Sequence, residues 1–104
     1  MKWYEDYDIF VKAFEKNGEL LDETKFYFNT DVEKKIHYIG CLYNFDNPYW
    51  VGYCDVIDGC DFATAQEMFE AKIFSGKSIK DRWKEVVIVG IGGIRADDYV
   101  MPDI

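Results

Sequence analysis

The chain has 104 residues, of which 49% are hydrophobic, and this length suits one domain with its own core. It carries 20 acidic and 12 basic residues, a formal net charge of −8 at pH 7. Such a charge disfavours direct binding to nucleic acid or to an anionic membrane, and it favours a protein partner with a basic surface.

The first half of the chain predicts a helix, a strand and a central β-hairpin. Apolar residues recur at helical spacing from Glu5 to Asn17, and Gly18 follows as a stop signal. Residues 25–29 are aromatic and typical of a strand. Two longer runs within residues 36–57 are rich in aromatic and β-branched residues, and turn formers at positions 46–48 separate them, which predicts the hairpin.

The second half predicts two helices and a strand. Capping-box patterns open a helix over about residues 64–73 and a shorter one over about residues 78–85. The apolar run 86–91 predicts a central strand covered on both faces, and two glycines then end it. Residues 94–104 are polar, contain a proline and are expected to be loosely held.

This order of elements predicts an α+β fold in a single domain, residues 1–104. We expect a small, mostly antiparallel sheet of three to four strands, with the hairpin at its centre and the helices packed on one face.

The three cysteines and the only histidine of the chain lie within one 24-residue stretch. They are His37, Cys41, Cys54 and Cys60, with the spacing H-x3-C-x12-C-x5-C. Three thiolates and an imidazole form the ligand set of a closed tetrahedral zinc site. The spacing is not that of a standard zinc finger, because it lacks a C-x2-C knuckle. We therefore predict a structural zinc ion as a hypothesis.

The register of the hairpin bears on this hypothesis. If the turn centres between positions 47 and 48, Cys41 lies opposite Cys54 and His37 faces Asp58; this is one register among several. His37 and Cys41 are four residues apart, which is about 13 Å on a straight strand and too far for one zinc ion. A bulge at Gly40 would close that gap.

Other interpretations of the cysteines remain open. An aspartate, Asp55, Asp58 or Asp61, is an alternative fourth ligand, or one cysteine drops out. Another interpretation is that the cysteines are inert core residues, because free cysteine is among the most buried residue types. Catalysis by a Cys–His pair lacks a recognisable motif. With no signal peptide and an odd number of cysteines, we expect reduced thiols in the cytoplasm of a bacterial host cell.

Three runs of sequence resemble small proteins of phages and mobile elements of Gram-positive bacteria. They are Tyr49-Trp-Val-Gly-Tyr-Cys54, the helix region from Asp61 to Ile79 that contains F-x-T-A-x-E-x-F-E-A-K-I-F-x-G-K-S, and Trp83-Lys-Glu-Val-Val87. The resemblance covers about residues 49–91. In size, charge and cysteine content the chain is similar to anti-CRISPR inhibitors of type II RNA-guided nucleases, some of which hold a structural metal.

The resemblance and the charge together predict a non-enzymatic inhibitor of a basic, nucleic-acid-handling protein. The alternative is an immunity protein or antitoxin that neutralises a basic toxin through the same attraction between opposite charges. A metal- or thiol-dependent enzyme is the third class. We expect no direct contact with nucleic acid or membrane. The predicted partner-binding acids are Glu5, Asp6, Asp8, Asp22, Glu23, Asp31 and Glu33.

Overall fold

A computed structural model describes residues 2–101, and within them six strands form one antiparallel sheet of order β4-β3-β2-β1-β5-β6. The strands are β1 (Thr24–Phe28), β2 (His37–Cys41), β3 (Tyr49–Gly52), β4 (Cys60–Phe62), β5 (Val86–Ile91) and β6 (Ile94–Arg95). The α-helices are α1 (Tyr7–Asn17) and α2 (Ala65–Glu70). Short 3-10 helices span Trp3–Glu5, Gly18–Leu21, Trp83–Glu85 and Ala96–Asp98. The predicted α+β class is confirmed.

Helix α1 ends at Asn17 as the sequence predicts, but it begins at Tyr7, two residues after the predicted Glu5, which lies in the preceding 3-10 helix. The carboxylate of Asp6 caps it by accepting a hydrogen bond from the backbone N–H of Ile9 at 3.1 Å. At the other end, the N–H of Gly18 donates to the hydroxyl of Tyr43 at 2.9 Å. A Cβ atom at Gly18 would lie 2.7 Å from the sulfur of Cys41, so the close approach of α1 to β2 requires glycine.

The two faces of the sheet differ in burial. Along β1, Thr24, Phe26 and Phe28 are buried, whereas the alternating residues Lys25 and Tyr27 are partly exposed. Strand β3 alternates in the same way, and in β2 the alternation stops at Gly40, which is buried like its neighbours. The buried face packs against aromatic residues of the helices, including Phe69 of α2, in one hydrophobic core. The second face carries half-exposed side chains.

The sheet has six strands, so the predicted three to four strands were too few. The missed strands are short edge strands, β4 and β6, which lack the length that a sequence pattern needs. Strand β6 follows a two-residue turn in which Gly92 and Gly93 have φ angles of 60° and 80°. Two positive φ angles in succession are what a type I′ hairpin requires. These glycines therefore join two strands rather than ending the sheet.

The central hairpin is confirmed, but its predicted register was wrong. Cys41 pairs with Tyr49 and Tyr38 with Gly52, so neither Cys54 nor Asp58 lies within the paired strands. The connection is a loop of residues 42–48 rather than a tight turn. Its Tyr43 is fixed to the end of α1 by two hydrogen bonds, and this contact between distant segments sets the loop length.

Gly40 forms no bulge, because it pairs regularly with Trp50. A Cβ atom at Gly40 would lie 2.5 Å from the indole of Trp50 and still closer to the carboxylate of Asp22. The glycine thus makes room for these two side chains. The separation of His37 from Cys41 along β2 is consequently that of a regular strand.

Three predictions in the second half of the chain need correction. Residues 78–85 contain the reciprocal capping bonds of Ser78 and Asp81 at 3.1 and 2.9 Å, but they form turns and one 3-10 helix. Strand β5 is not covered on both faces, because Val89 is 38% exposed. The segment after Gly93 is held as far as Tyr99, whose hydroxyl donates to the Leu20 carbonyl at 2.8 Å; residues 102–104 lie outside the described part.

Candidate functional site

A cleft of about 490 Å³ opens at the end of the sheet where β1 and β3 end and β2 and β5 begin. Three separate segments build its walls: the loop between β1 and β2, the start of the loop between β3 and β4, and the segment between α2 and β5. Its lining residues are Asp31, Val32, Glu33, Lys35, His37, Tyr53, Cys54, Asp55, Phe74, Ser75 and Arg82.

His37 lies in the wall of this cleft with its ring 8% exposed and packed between phenylalanines. The ring centroids of Phe28 and Phe74 are 5.3 and 5.0 Å from that of the imidazole. The Nδ1–H donates to the backbone carbonyl of Tyr53, which fixes the proton on Nδ1 because a carbonyl can only accept. Burial lowers the pKa of His37. The ring is therefore neutral, with a lone pair on Nε2.

The Nε2 atom of His37 is buried and has no hydrogen-bond partner within residues 2–101. Buried polar atoms in folded proteins are almost always hydrogen-bonded, so an unpaired acceptor in a cleft wall calls for an explanation. An imidazole fixed through Nδ1 and open at Nε2 can accept a hydrogen bond or ligate a metal.

Arg82 also lines the cleft and is itself buried. Its guanidinium lies 3.7 Å from the ring centroid of Phe28. It donates to Asp31 at 2.7 Å and to Glu85 at 2.9 Å. Two carboxylates therefore neutralise Arg82. A hydrogen bond from Arg82, with a second from Thr30, lowers the pKa of Glu85.

The backbone near the cleft adopts conformations that side chains rarely take. Within the described residues the non-glycine positive φ angles are those of Lys34 (50°), Tyr53 (58°), Asp58 (71°) and Ser75 (59°). Tyr53 and Ser75 line the cleft, Lys34 sits between two lining residues, and Asp58 belongs to the same loop as Tyr53. Such conformations cost free energy and concentrate at functional sites.

Large apolar side chains are exposed on two of the loops that build the cleft. Val32 is 98% exposed and Tyr53 60% exposed, and both line it. Ile57, in the loop between β3 and β4, is 87% exposed. Exposed apolar residues next to charged ones are typical of surfaces that bind other proteins. We call Val32, Tyr53 and Ile57 the apolar rim.

The structure brings two of the four predicted zinc ligands together. Burial and the neighbouring Cys54 thiol raise the pKa of the Cys60 thiol to about 11. Cys54 also donates weakly to the carbonyl of Val56, with sulfur and oxygen 3.8 Å apart. Cys54 and Cys60 are therefore the pair that could hold a soft metal ion.

Cys41 is not brought to that pair, and His37 shares the lining of the cleft with Cys54 without forming a group of three ligands within residues 2–101. Cys41 lies at the far end of β2, fully buried beside Gly18 and Tyr49, and burial raises the pKa of its thiol to about 11. His37 is at the other end of the same regular strand. Within residues 2–101 no three histidine, cysteine, aspartate or glutamate side chains are grouped to hold a metal ion. The four residues are therefore not grouped in this structure, and zinc binding stays a prediction, with Cys54 and Cys60 as its nearest pair.

Several predicted partner-binding acids form hydrogen bonds within the protein. Glu5 accepts a hydrogen bond from the backbone of Lys2, and Asp6 caps α1. Asp22 accepts from the backbone N–H of Cys41 at 3.0 Å and from the indole of Trp50 at 2.7 Å. These three carboxylates therefore stabilise the fold, and their partner-binding role stays a prediction.

The remaining predicted acids lie at the surface in two groups. Asp8 on α1 is exposed, and Glu23 lies 3.9 Å from Lys25. Asp31 and Glu33 line the cleft, the former already paired with Arg82. Sequence reasoning thus found two carboxylates of the cleft. It missed Tyr53, Phe74, Ser75 and Arg82, which no sequence motif connects.

No protein-family model, curated protein or solved structure matches this chain. No described helix is long and apolar enough to span a bilayer.

Proposed function

We propose that the protein is a non-enzymatic inhibitor that binds a basic, nucleic-acid-handling protein through the cleft and its apolar rim. The observation that supports this most is the exposure of the rim: Val32 and Tyr53 line a cleft whose free groups are mainly acceptors, and Ile57 is exposed on the same loop as Tyr53. A few apolar anchors supply most of the binding energy in protein interfaces, and surrounding charges select the partner.

The distribution of charge supports the same proposal. Residues 36–71 contain six acidic residues and no lysine or arginine. Two of these acids, Asp55 and Asp58, lie in the loop that carries Tyr53 and Ile57. Glu33 adds an exposed carboxylate beside Val32, and it forms no ion pair or hydrogen bond within the described residues. A basic partner would be attracted to this end of the sheet before the apolar rim makes contact.

The partner class in this proposal comes from the resemblance to anti-CRISPR inhibitors. A type II RNA-guided nuclease has positively charged channels for nucleic acid, and an acidic protein that covers such a channel excludes the phosphates. The zinc ion of the proposal is structural. Held by Cys54 and Cys60, it would cross-link the two ends of the loop between β3 and β4.

The test uses exposed apolar residues, because replacing them leaves the core intact. We expect the double variant Val32→Ser/Ile57→Ser to bind a guide-free type II nuclease at least tenfold more weakly than the wild type. Val100→Ser is the matched control, since Val100 is 86% exposed and lies outside the cleft lining. Equal loss in both variants, or no binding of the wild type to the nuclease with or without guide RNA, would overturn the proposal for this partner.

A further inference from the structure

We propose that the cleft is a socket for an arginine side chain, which the protein partner inserts between the apolar rim and His37. This inference rests on the proposed function and specifies the chemistry of its binding site. It starts from the buried lone pair at His37 Nε2, which no described residue satisfies.

The acceptor at His37 selects a ligand that donates hydrogen bonds. Because the proton on Nδ1 is committed to the carbonyl of Tyr53, Nε2 can only accept. A guanidinium carries five N–H donors and no acceptor, so it matches this atom. A carboxylate or phosphate ligand would place acceptor against acceptor.

The carboxylates of the cleft favour a cation. Glu33 is exposed and unpaired within residues 2–101, and Asp55 uses one oxygen to accept from the backbone N–H of Ser75 at 2.6 Å. Within residues 2–101 the second oxygen of Asp55 accepts no hydrogen bond. Carboxylates and guanidinium groups pair through two parallel hydrogen bonds, which gives the socket its preference for arginine.

The two cations of the cleft do not make it an anion site. Arg82 is neutralised by Asp31 and Glu85. Lys35 holds its ammonium 5.8 Å from the ring centroid of Tyr53, which shows that a positive charge is accommodated against this ring. An incoming guanidinium would take the place of the lysine ammonium on Tyr53.

The chain has one histidine, so its imidazole nitrogens give a single set of signals in ¹⁵N-resolved NMR spectra. The probe is the capped peptide acetyl-Gly-Arg-Gly-amide, and the matched control peptide has citrulline in place of arginine. We expect the arginine peptide to shift the Nε2 resonance of His37 at millimolar concentration. Citrulline keeps the shape and loses the charge, so we expect binding at least fivefold weaker.

Two glutamine variants locate the site. Glu33→Gln should weaken binding of the arginine peptide at least threefold. Glu15→Gln, an exposed position on α1 outside the cleft, should leave it unchanged. The socket proposal would be overturned by an unchanged Nε2 resonance of His37, by equal binding of the two peptides, or by equal effects of the two variants.

Failure of the socket and failure of the inhibitor proposal are distinguishable. If the nuclease binds the wild type and Glu33→Gln equally well, and the arginine peptide leaves His37 unshifted, the socket is wrong and the inhibitor proposal stands. If the arginine peptide shifts the Nε2 resonance of His37 but no basic nuclease binds, the socket proposal is retained and the partner is a different protein.

Discussion

Arg82 and Asp31 form an ion pair with nitrogen and oxygen 2.7 Å apart, and this pair joins the segment before β5 to the loop after β1. Both segments line the cleft. Because the Arg82 side chain is 9% exposed and also stacks on Phe28, the ion pair fixes the cleft shape from inside the protein.

We expect Arg82→Ala to lower the free energy of unfolding by about 2 kcal/mol or more, because it leaves Asp31 and Glu85 without their cation and exposes Phe28. The Asp31 side chain is 38% exposed, so Asp31→Asn should cost less, about 1 kcal/mol. Urea unfolding of both variants measures this. A loss in Asp31→Asn as large as that in Arg82→Ala would contradict it.

Protonation of His37 should destabilise the protein. Burial lowers the pKa of His37 in the folded protein below its value of 6.5 in the unfolded state. The unfolded state therefore binds the proton first as the pH falls. The His37 contribution to stability is then complete above pH 6.5 and is lost as the pH falls from 6.5 through the folded pKa. Urea unfolding of the wild type and of His37→Gln at several pH values is the measurement. A variant with the same pH dependence as the wild type in this range would exclude His37 as the cause.

Gly40→Ala should destabilise the protein by about 1–3 kcal/mol, because its Cβ atom would overlap Asp22 and Trp50, which are hydrogen-bonded to each other. Gly52→Ala is the control on the paired strand, where the nearest atoms to a Cβ are at 3.7 Å. Thermal unfolding compares the two. Similar midpoints would show that Trp50 moves away at little cost.

Zinc binding is predicted to depend on Cys54 and Cys60 and not on Cys41. Protein purified without a metal-affinity step should contain about one zinc per chain by elemental analysis. The Cys54→Ser and Cys60→Ser variants should lose it, whereas Cys41→Ala should retain it and be less stable, since Cys41 is fully buried. Less than a tenth of an equivalent in the wild type, with stability unaffected by chelator, would leave all three cysteines as ordinary thiols.

Local signals in the sequence predicted the local parts of the fold. The hydroxyl of Thr64 caps α2 by accepting from the N–H of Glu67 at 3.1 Å, as the capping-box pattern indicated, and Gly18 ends α1. A capping box does not guarantee a helix, however. The bonds of Ser78 and Asp81 form, yet the segment stays in turns and a 3-10 helix.

The hairpin register and the cleft depend on contacts between distant segments, which a single sequence does not display. Tyr43 reaches Gly18 across 25 positions and lengthens the loop of the hairpin. Arg82 reaches Asp31 across 51 positions and closes the cleft. The sequence pattern identified His37 as a candidate zinc ligand because it lies near the three cysteines, but its neighbours in the cleft depend on the topology of the sheet.

The association rate with a guide-free type II nuclease, measured against salt concentration, tests the central claim most directly. Charge steering is screened over about 8 Å at physiological ionic strength. We predict association at least tenfold slower at high than at low salt, and a weaker salt dependence in Glu33→Gln/Asp58→Asn than in the control Glu15→Gln/Asp46→Asn, whose residues are exposed and outside the cleft lining. A rate independent of salt, and equal in both double variants, would contradict binding through the acidic cleft and its rim.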